Sequence, residues 1–391
     1  MQHGPENLVE RSVRVSMPSG LHALMLLSDA FGGFGGIAKF NRDFLIALNA
    51  CPEVERIHVL PRLISEPIDD LLPDSVIYDR VAAKGKLSFL FRTLFRILFD
   101  DRIDLVICGH IHLLPLAWVA AKFRRAELVL IIHGVEAWIP TRGMLVNRLA
   151  STVDHLIAVS HFSAAKFAAW SKIATNKIFI LPNCVDLARF QPRERNRLLS
   201  DRYKLGTRRV IMTMGRLSSE ERYKGFDEVI EVLPQLLLRI PNLKYLIVGD
   251  GLDRERLEAK VKSFGVAEHV IFAGRVLELE KVDHYSLADA YVMPSSGEGF
   301  GIVLIEAIAC GVPVIGSLAD GSREALLDGQ LGKLVDPRDK NKLAEEIETL
   351  LTIPPKGQRN DGVAFFSVEN FRARVANWVA EMTARRIPYS K

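Results

Sequence analysis

The 391-residue chain has little covalent reinforcement to offer. Its four cysteines, Cys51, Cys108, Cys184 and Cys310, lie far apart, with no C-x-x-C pair and no zinc spacing. A disulfide framework is therefore not expected, and the apolar context of most of them fits buried free thiols in a reducing compartment. Long apolar runs are missing too: no segment approaches the ~18 residues of a membrane-crossing helix. The opening stretch MQHGPENLVERSVRVSMPSG lacks the apolar centre of a secretory leader. Charge of one sign is scarce, with 51 Lys and Arg against 47 Asp and Glu, so the net charge of +4 does not argue for a nucleic-acid partner. No D-x-D occurs, which leaves a divalent cation bridging a diphosphate without obvious ligands. The expectation is a cytoplasmic protein that at most touches a membrane from one side.

What the chain does have is alternation. LHALMLL, RIHVL, DLVIC, ELVLII, HLIAV and KIFIL read as strands, separated by helical stretches such as IAKFNRDFLIAL, LPLAWVAAKF and HFSAAKFAAW. The C-terminal half repeats the scheme with RRVIMTM, LKYLIVG, HVIFAG, AYVMP and VPVIG. Such alternation predicts parallel sheets covered by helices on both faces, and the length suits two of them. The prolines and charges of PNCVDLARFQPRERNR place the boundary. The expected domains are 1–188 and 189–368, both Rossmann-like, doubly wound α/β units facing a cleft. A helical segment, 369–391, lies beyond the second domain's last turn and is expected to pack back on the first domain.

Two glycine-rich places bear on chemistry. The first strand runs into FGGFGGIAKF, which satisfies G-x-G-x-x-A, the dinucleotide pattern. That pattern also needs an acid at the far end of the second strand, and Glu53 and Glu55 precede RIHVL instead. A loop at a helix N-terminus that approaches a phosphate or sugar, or simply a tight turn, remains. The second place is PSSGEGFGIVLIEAIACGVPVI, in which Glu298 falls in a loop at the sheet edge and Glu306 about two turns into the following helix. An unpaired charge within VLIEAIAC would be costly. Carboxylates accept bonds from sugar hydroxyls, while a helix N-terminus favours a phosphate, so a diphosphate flanked by two sugars suits the segment. Arg216, after RRVIMTM, and Lys224, before the next helix, face the same sheet edge and supply the compensating cations.

These residues resemble the retaining glycosyltransferases of GT-B architecture, family four, also called group one. E-G-F-G-I-V-L-I-E matches that family's E-x7-E motif, and G-R-L, K-G-F-D, V-G-D-G and G-V-P-V-I-G follow in family order over nearly the whole chain. The resemblance implies that Glu306 holds the nucleotide ribose and Glu298 the transferred sugar. Arg216 and Lys224 would neutralise the leaving diphosphate, which the backbone amides of Gly299, Phe300, Gly301 and Ile302 would bind. The turn through Val276 would lie along the base. Gly35 and Gly36 match the mobile glycine loop beside the donor phosphates, and His133 in HGVEAW the histidine facing the donor sugar, although a capped strand-end histidine is the plainer alternative. Two departures stand out: the long Arg216-to-Lys224 spacing, as in bacterial exopolysaccharide mannosyltransferases, and Cys184 where glycine is usual.

The implied activity is metal-independent, cofactor-free transfer of a hexose, mannose favoured, with GDP-mannose preferred over a UDP-sugar. The acceptor would be a glycan or lipid-linked oligosaccharide in polysaccharide assembly, and the product α-linked. A GT-B sugar epimerase, a synthase using a soluble acceptor, or a catalytically silent scaffold are the alternatives. Over 80–125 nine cations face three acids, and KGKLSFLFRTLFRILFDDR is a basic, phenylalanine-rich helix. It reads either as a core helix or, through 84–102, as a contact with an anionic membrane on the inner face.

Overall fold

Short runs rich in branched aliphatics pack well in sheets buried on both faces, and these runs become strands. The structure, a computed structural model, describes residues 20–68, 72–352 and 359–386; the polar stretch 1–19 and the tail 387–391 of the last segment lie outside the described residues. The first sheet contains β1 (Leu21–Leu27), β2 (Val54–Pro61), β3 (Val76–Tyr78), β4 (Leu105–Cys108), β5 (Glu127–Ile132), β6 (His155–Ala158) and β7 (Ile178–Ile180). The second contains β8 (Arg209–Met214), β9 (Leu243–Val248), β10 (Val270–Gly274), β11 (Ala290–Val292), β12 (Val314–Ser317) and β13 (Lys333–Val335). Strand order is β3-β2-β1-β4-β5-β6-β7 in one and β10-β9-β8-β11-β12-β13 in the other, with parallel pairing throughout.

That order fixes where a ligand can enter. The connections reverse direction between β1 and β4 and between β8 and β11, so the loops there splay apart and leave a crevice at the carboxyl ends of the strands. The glycine-rich loop follows β1, Arg216 follows β8, and the Glu298 loop follows β11. Both sheets thus aim their functional loops at one cleft. The edge strands β3 and β13, three residues each, are partly exposed and carry no long apolar run, which is why sequence patterning passes over them.

The chain crosses between domains twice at one place. The Val185 N–H donates to the Phe366 carbonyl at 2.9 Å, so the outgoing and returning segments brace each other. The returning chain forms helix Val368–Arg386, which lies on helix Gly36–Asn49 of the first domain. Phe371 meets Phe40 edge to face at 5.8 Å, and Trp378 packs on Phe44 and Phe179. One buried apolar cluster therefore runs from the first domain through the crossover into the second. All four cysteines are buried and free. Cys184 sits in the crossover, its carbonyl bonded to Lys39 Nζ at 2.9 Å and its thiol 3.4 Å from Asp43.

Helix Lys86–Phe99 buries only Phe89, Thr93 and Ile97, while Leu87 is 72% and Phe91 69% exposed. It is a half-core helix with a broad apolar outer face. Among the described residues no helix is long and apolar enough to cross a membrane.

Trp378 is almost wholly enclosed by the first domain's aromatics. Trp378→Ala is expected to cost ~3–5 kcal/mol, read as a lowered thermal midpoint of the transition that includes the first domain; an unchanged melt would show that the last helix is not part of that cooperative unit.

Candidate functional site

Glu298 is held by three elements. Lys224 Nζ donates to its Oε1 at 2.7 Å, Asp320 accepts its main-chain N–H at 2.8 Å, and its carbonyl accepts from Gly321 N–H at 2.9 Å. Asp320 also takes the Ser295 hydroxyl at 2.7 Å and Ser322 N–H at 3.0 Å. The loop carrying Glu298 is thus moulded around one buried carboxylate. Burial raises the Asp320 pKa although these donors oppose the rise. Lys224 reaches the site because Gly225 behind it adopts φ 88°, and a Cβ there would strike Pro294 at 2.7 Å. Burial would lower the Lys224 pKa; the Glu298 carboxylate outweighs it and holds the ammonium above its usual range.

Glu306 lies in helix Ile302–Ala309 with no exposed surface. Its charge is met by Lys281 Nζ, 3.2 and 3.3 Å from the two carboxylate oxygens, and by the Tyr285 hydroxyl at 2.9 Å. Arg216 and Lys224, named above as compensating cations, do not touch it. Lys224 pairs with Glu298, while Arg216 stands at the rim, its side chain 66% exposed and engaged by Glu221. The helix beginning after Gly301 has no side-chain cap and no acid in its first turn, so its leading N–H groups remain available at the cleft.

The first domain closes over this edge. Ser160 Oγ donates to the Gly299 carbonyl at 2.6 Å, and Glu324 accepts the main-chain N–H groups of His161 and Phe162 at 2.7 Å each, capping helix His161–Ser171 across the domain boundary. A Cβ on Gly299 would come within 1.8 Å of the His133 carbonyl. Gly36 faces Ile302, and Arg275 lies over the Phe34 ring at 4.2 Å while pairing with Glu66. The cleft is closed. Val276, buried, follows Arg275 on that rim. Gly35, at φ 95°, would meet nothing with a Cβ, so its loop has room to move.

His133 comes to the same place from the end of β5. Its main-chain N–H donates to Glu136 Oε1 at 2.6 Å and its Nε2 lies 3.1 Å from the Gly109 carbonyl, which fixes a neutral Nε2–H tautomer. Burial lowers its pKa, and lowers that of neighbouring His110 to about 4, against the raising effect of Glu136. Asp29, after β1, has its pKa raised by burial. Neutral imidazoles line one wall and charged lysines the other.

The structure therefore gathers His133, Lys224, Glu298, Gly36 and the segment from Gly299 to Ile302 at one edge, with Glu306 one layer beneath and Arg216, Gly35 and Val276 around the rim. Sequence reasoning missed Lys281, Asp320 and Glu324. Asp320 was findable, since ADGS has the form of a side-chain-to-backbone turn; Lys281 sits in an ordinary charged helix start, LELEKVDHY, and carries no such mark.

Two doubly wound domains meeting at their strand ends make this a GT-B glycosyltransferase. Residues 42–189 match the model of Glycosyltransferase Family 4 and residues 197–361 that of Glycosyl transferases group 1, and the chain belongs to this family. It is 34% identical over 291 residues, 70% of this chain and 75% of the relative, to a GDP-mannose-dependent alpha-(1-6)-phosphatidylinositol monomannoside mannosyltransferase of Mycolicibacterium smegmatis. It is 27% identical over 365 residues, 86% of this chain and 91% of the relative, to the enzyme of Corynebacterium glutamicum named for the monoacylated form of that lipid. The solved structure of Anabaena HepE with UDP-glucose superposes with a TM-score of 0.69 over 92% of this chain and 100% of that one; at 19% identity the likeness speaks for fold alone.

Two measurements probe the geometry. Gly299→Ala should abolish closure, leaving each domain folded by circular dichroism while activity falls at least ~100-fold. A folded His110 with a pKa near 4, against 6.5 unfolded, stays neutral where the unfolded chain takes a proton. Its contribution to stability is therefore present above pH 6.5 and lost as pH falls from 6.5 towards 4. His110→Gln should flatten the melting-temperature profile in that window; an unchanged profile would remove His110 from the account.

Proposed function

We propose that the chain is a retaining mannosyltransferase that moves mannose from GDP-mannose to a lipid-linked saccharide acceptor, forming an α-linkage. The observation that carries the reading is the Lys224–Glu298 pair, 2.7 Å long and set beside the uncapped N-terminus of helix Ile302–Ala309 at the switch point of the second sheet. A diphosphate placed there meets an ammonium, aligned amides and, on swinging inward, the Arg216 fork from the rim. Preorganised charge of this kind is the term that most strongly stabilises a leaving group. Glu306, one layer below, is placed to accept ribose hydroxyls, and Glu298 those of the sugar. Mannose and GDP are favoured because the relatives from Mycolicibacterium smegmatis and Corynebacterium glutamicum are named for GDP-mannose.

For retention the acceptor hydroxyl attacks from the face the diphosphate leaves. Its proton passes to a donor phosphate oxygen, so no enzymic base is needed. Neutral His133, with Nε2–H committed to Gly109, fits a hydrogen-bonding role towards the sugar better than proton transfer. Lys224, Arg216 and the helix amides supply the positive field at the leaving diphosphate.

The acceptor's lipid is consistent with the outer face of helix Lys86–Phe99, where Leu87, Phe91 and Phe99 are exposed and the exposed Lys84 and Lys86 flank the helix start. Such a helix can lie in an anionic interface, its rings among acyl chains and its cations at the headgroups.

Lys224→Ala should lower kcat ~100–1000-fold with GDP-mannose, whereas Glu306→Ala should chiefly weaken donor binding by isothermal titration. Full turnover in Lys224→Ala would sink the charge clamp. A thermal-shift panel of GDP, UDP, ADP and their sugars tests the donor, with stabilisation by UDP-sugars alone overturning the assignment. In flotation with anionic liposomes at low salt, the protein should rise with the lipid; recovery wholly in the soluble fraction would contradict the membrane contact.

A further inference from the structure

The charge on Glu306 raises a question that its proposed ribose role does not answer. A carboxylate with no exposed surface is expected to take up a proton near neutrality unless something fixes its charge, and a protonated acid presents one acceptor fewer to a diol. Lys281 is placed to fix it. Its Nζ straddles both oxygens at 3.2 and 3.3 Å and gives a further bond to Glu278 Oε2 at 2.9 Å. Glu278 in turn faces Arg189, 3.5 Å away, on the segment that has just crossed between the domains. A chain of alternating charge thus runs from the interdomain crossover to the buried acid.

We propose that Lys281 is a positioning residue for the donor ribose: it holds Glu306 ionised and oriented so that both carboxylate oxygens accept from the sugar's hydroxyls. The inference rests on the reading of the cleft as a nucleotide-sugar site. The other titratable groups facing Glu306 cannot replace it. Tyr285 donates one neutral bond, while Tyr291 and Cys310 are buried and uncharged. Lys39, which also lends Glu306 some field from the opposite domain, is already bound to Asp43 at 2.7 Å and to the Cys184 carbonyl. Lys281 itself is kept charged: burial would lower its pKa, and the two glutamates raise it above the ordinary value.

The test uses the full chain with GDP as probe for binding and GDP-mannose for kinetics, between pH 5.5 and 8.5. Lys281→Met should weaken GDP ~10-fold or more, with the loss in turnover falling on KM for the donor more than on kcat. It should also make GDP affinity decline as pH falls, where the unaltered protein is flat, because the unpaired Glu306 then takes a proton. Lys281→Arg should restore both. In a Glu306→Gln background the same methionine should add little further loss, as expected if Lys281 acts through Glu306.

Without any ligand, Lys281→Met should lose most stability at high pH and recover towards low pH, since an unpaired buried acid binds its proton more tightly folded than unfolded. Wild-type affinity and pH profile in Lys281→Met would overturn the proposal, as would an equal loss with and without Glu306. If the unaltered protein bound no nucleotide, the ribose assignment itself would fall, and the ligand-free melting profile would still show whether Lys281 governs the charge of Glu306.

Discussion

Desolvation of two acids organises the cleft. Glu298 and Glu306 sit where water is largely or wholly excluded, and a lone ionised carboxylate there costs several kcal/mol. Each is matched by a single lysine from a different element: Lys224 from the segment before helix Phe226–Arg239, and Lys281 from the start of helix Lys281–Tyr285. The acids in turn hold the two buried ammonium groups above their usual pKa range, against the burial that would lower it. The outcome is a site whose fixed charges stand in place before any ligand arrives, with little reorganisation left for the reaction.

The second constraint is space at the domain junction. Gly299 has the His133 carbonyl against it, Ser160 bonds its carbonyl, and Glu324 caps a helix of the opposite domain. Each of these contacts has main chain on at least one side, so the two halves close to a defined distance. Val185 and Phe366, bonded at the crossover, form the natural pivot, and the last helix returns to the first domain beyond it. Motion about such a pivot would open the edge holding Lys224 and Glu298 while the two apolar clusters that each lie within one domain stay intact.

Much of this was legible in the residues. The alternation of aliphatic runs and helical periods announced two parallel sheets, and the motif GEGFGIVLIE located the loop, the helix start and both acids. Position along the chain also told that Arg216 and Lys224 end at the same sheet edge as Glu298. What could not be read was pairing. The cation for Glu306 comes from 25 residues upstream in a segment whose charges look like any solvated helix start. Glu324 likewise acts on N–H groups 162 and 163 residues away. Local pattern reports which face a residue occupies, whereas long-range partners depend on how the domains dock. The short strands β3 and β13 escaped for a related reason: three residues are too few for an alternation to be told from chance.

The division of protonation states across the cleft follows from the same burial. Desolvation disfavours charge on every group, and the groups differ only in what opposes it. His133 and His110 face Glu136, a carboxylate also spent on a main-chain N–H, with Asp29 adding a weaker pull on His133, and burial keeps both neutral. Lys224 and Lys281 each face an acid with no stronger claim on it, and they remain charged. The charged lysines of the second domain thus lie across the cleft from the neutral imidazoles of the first.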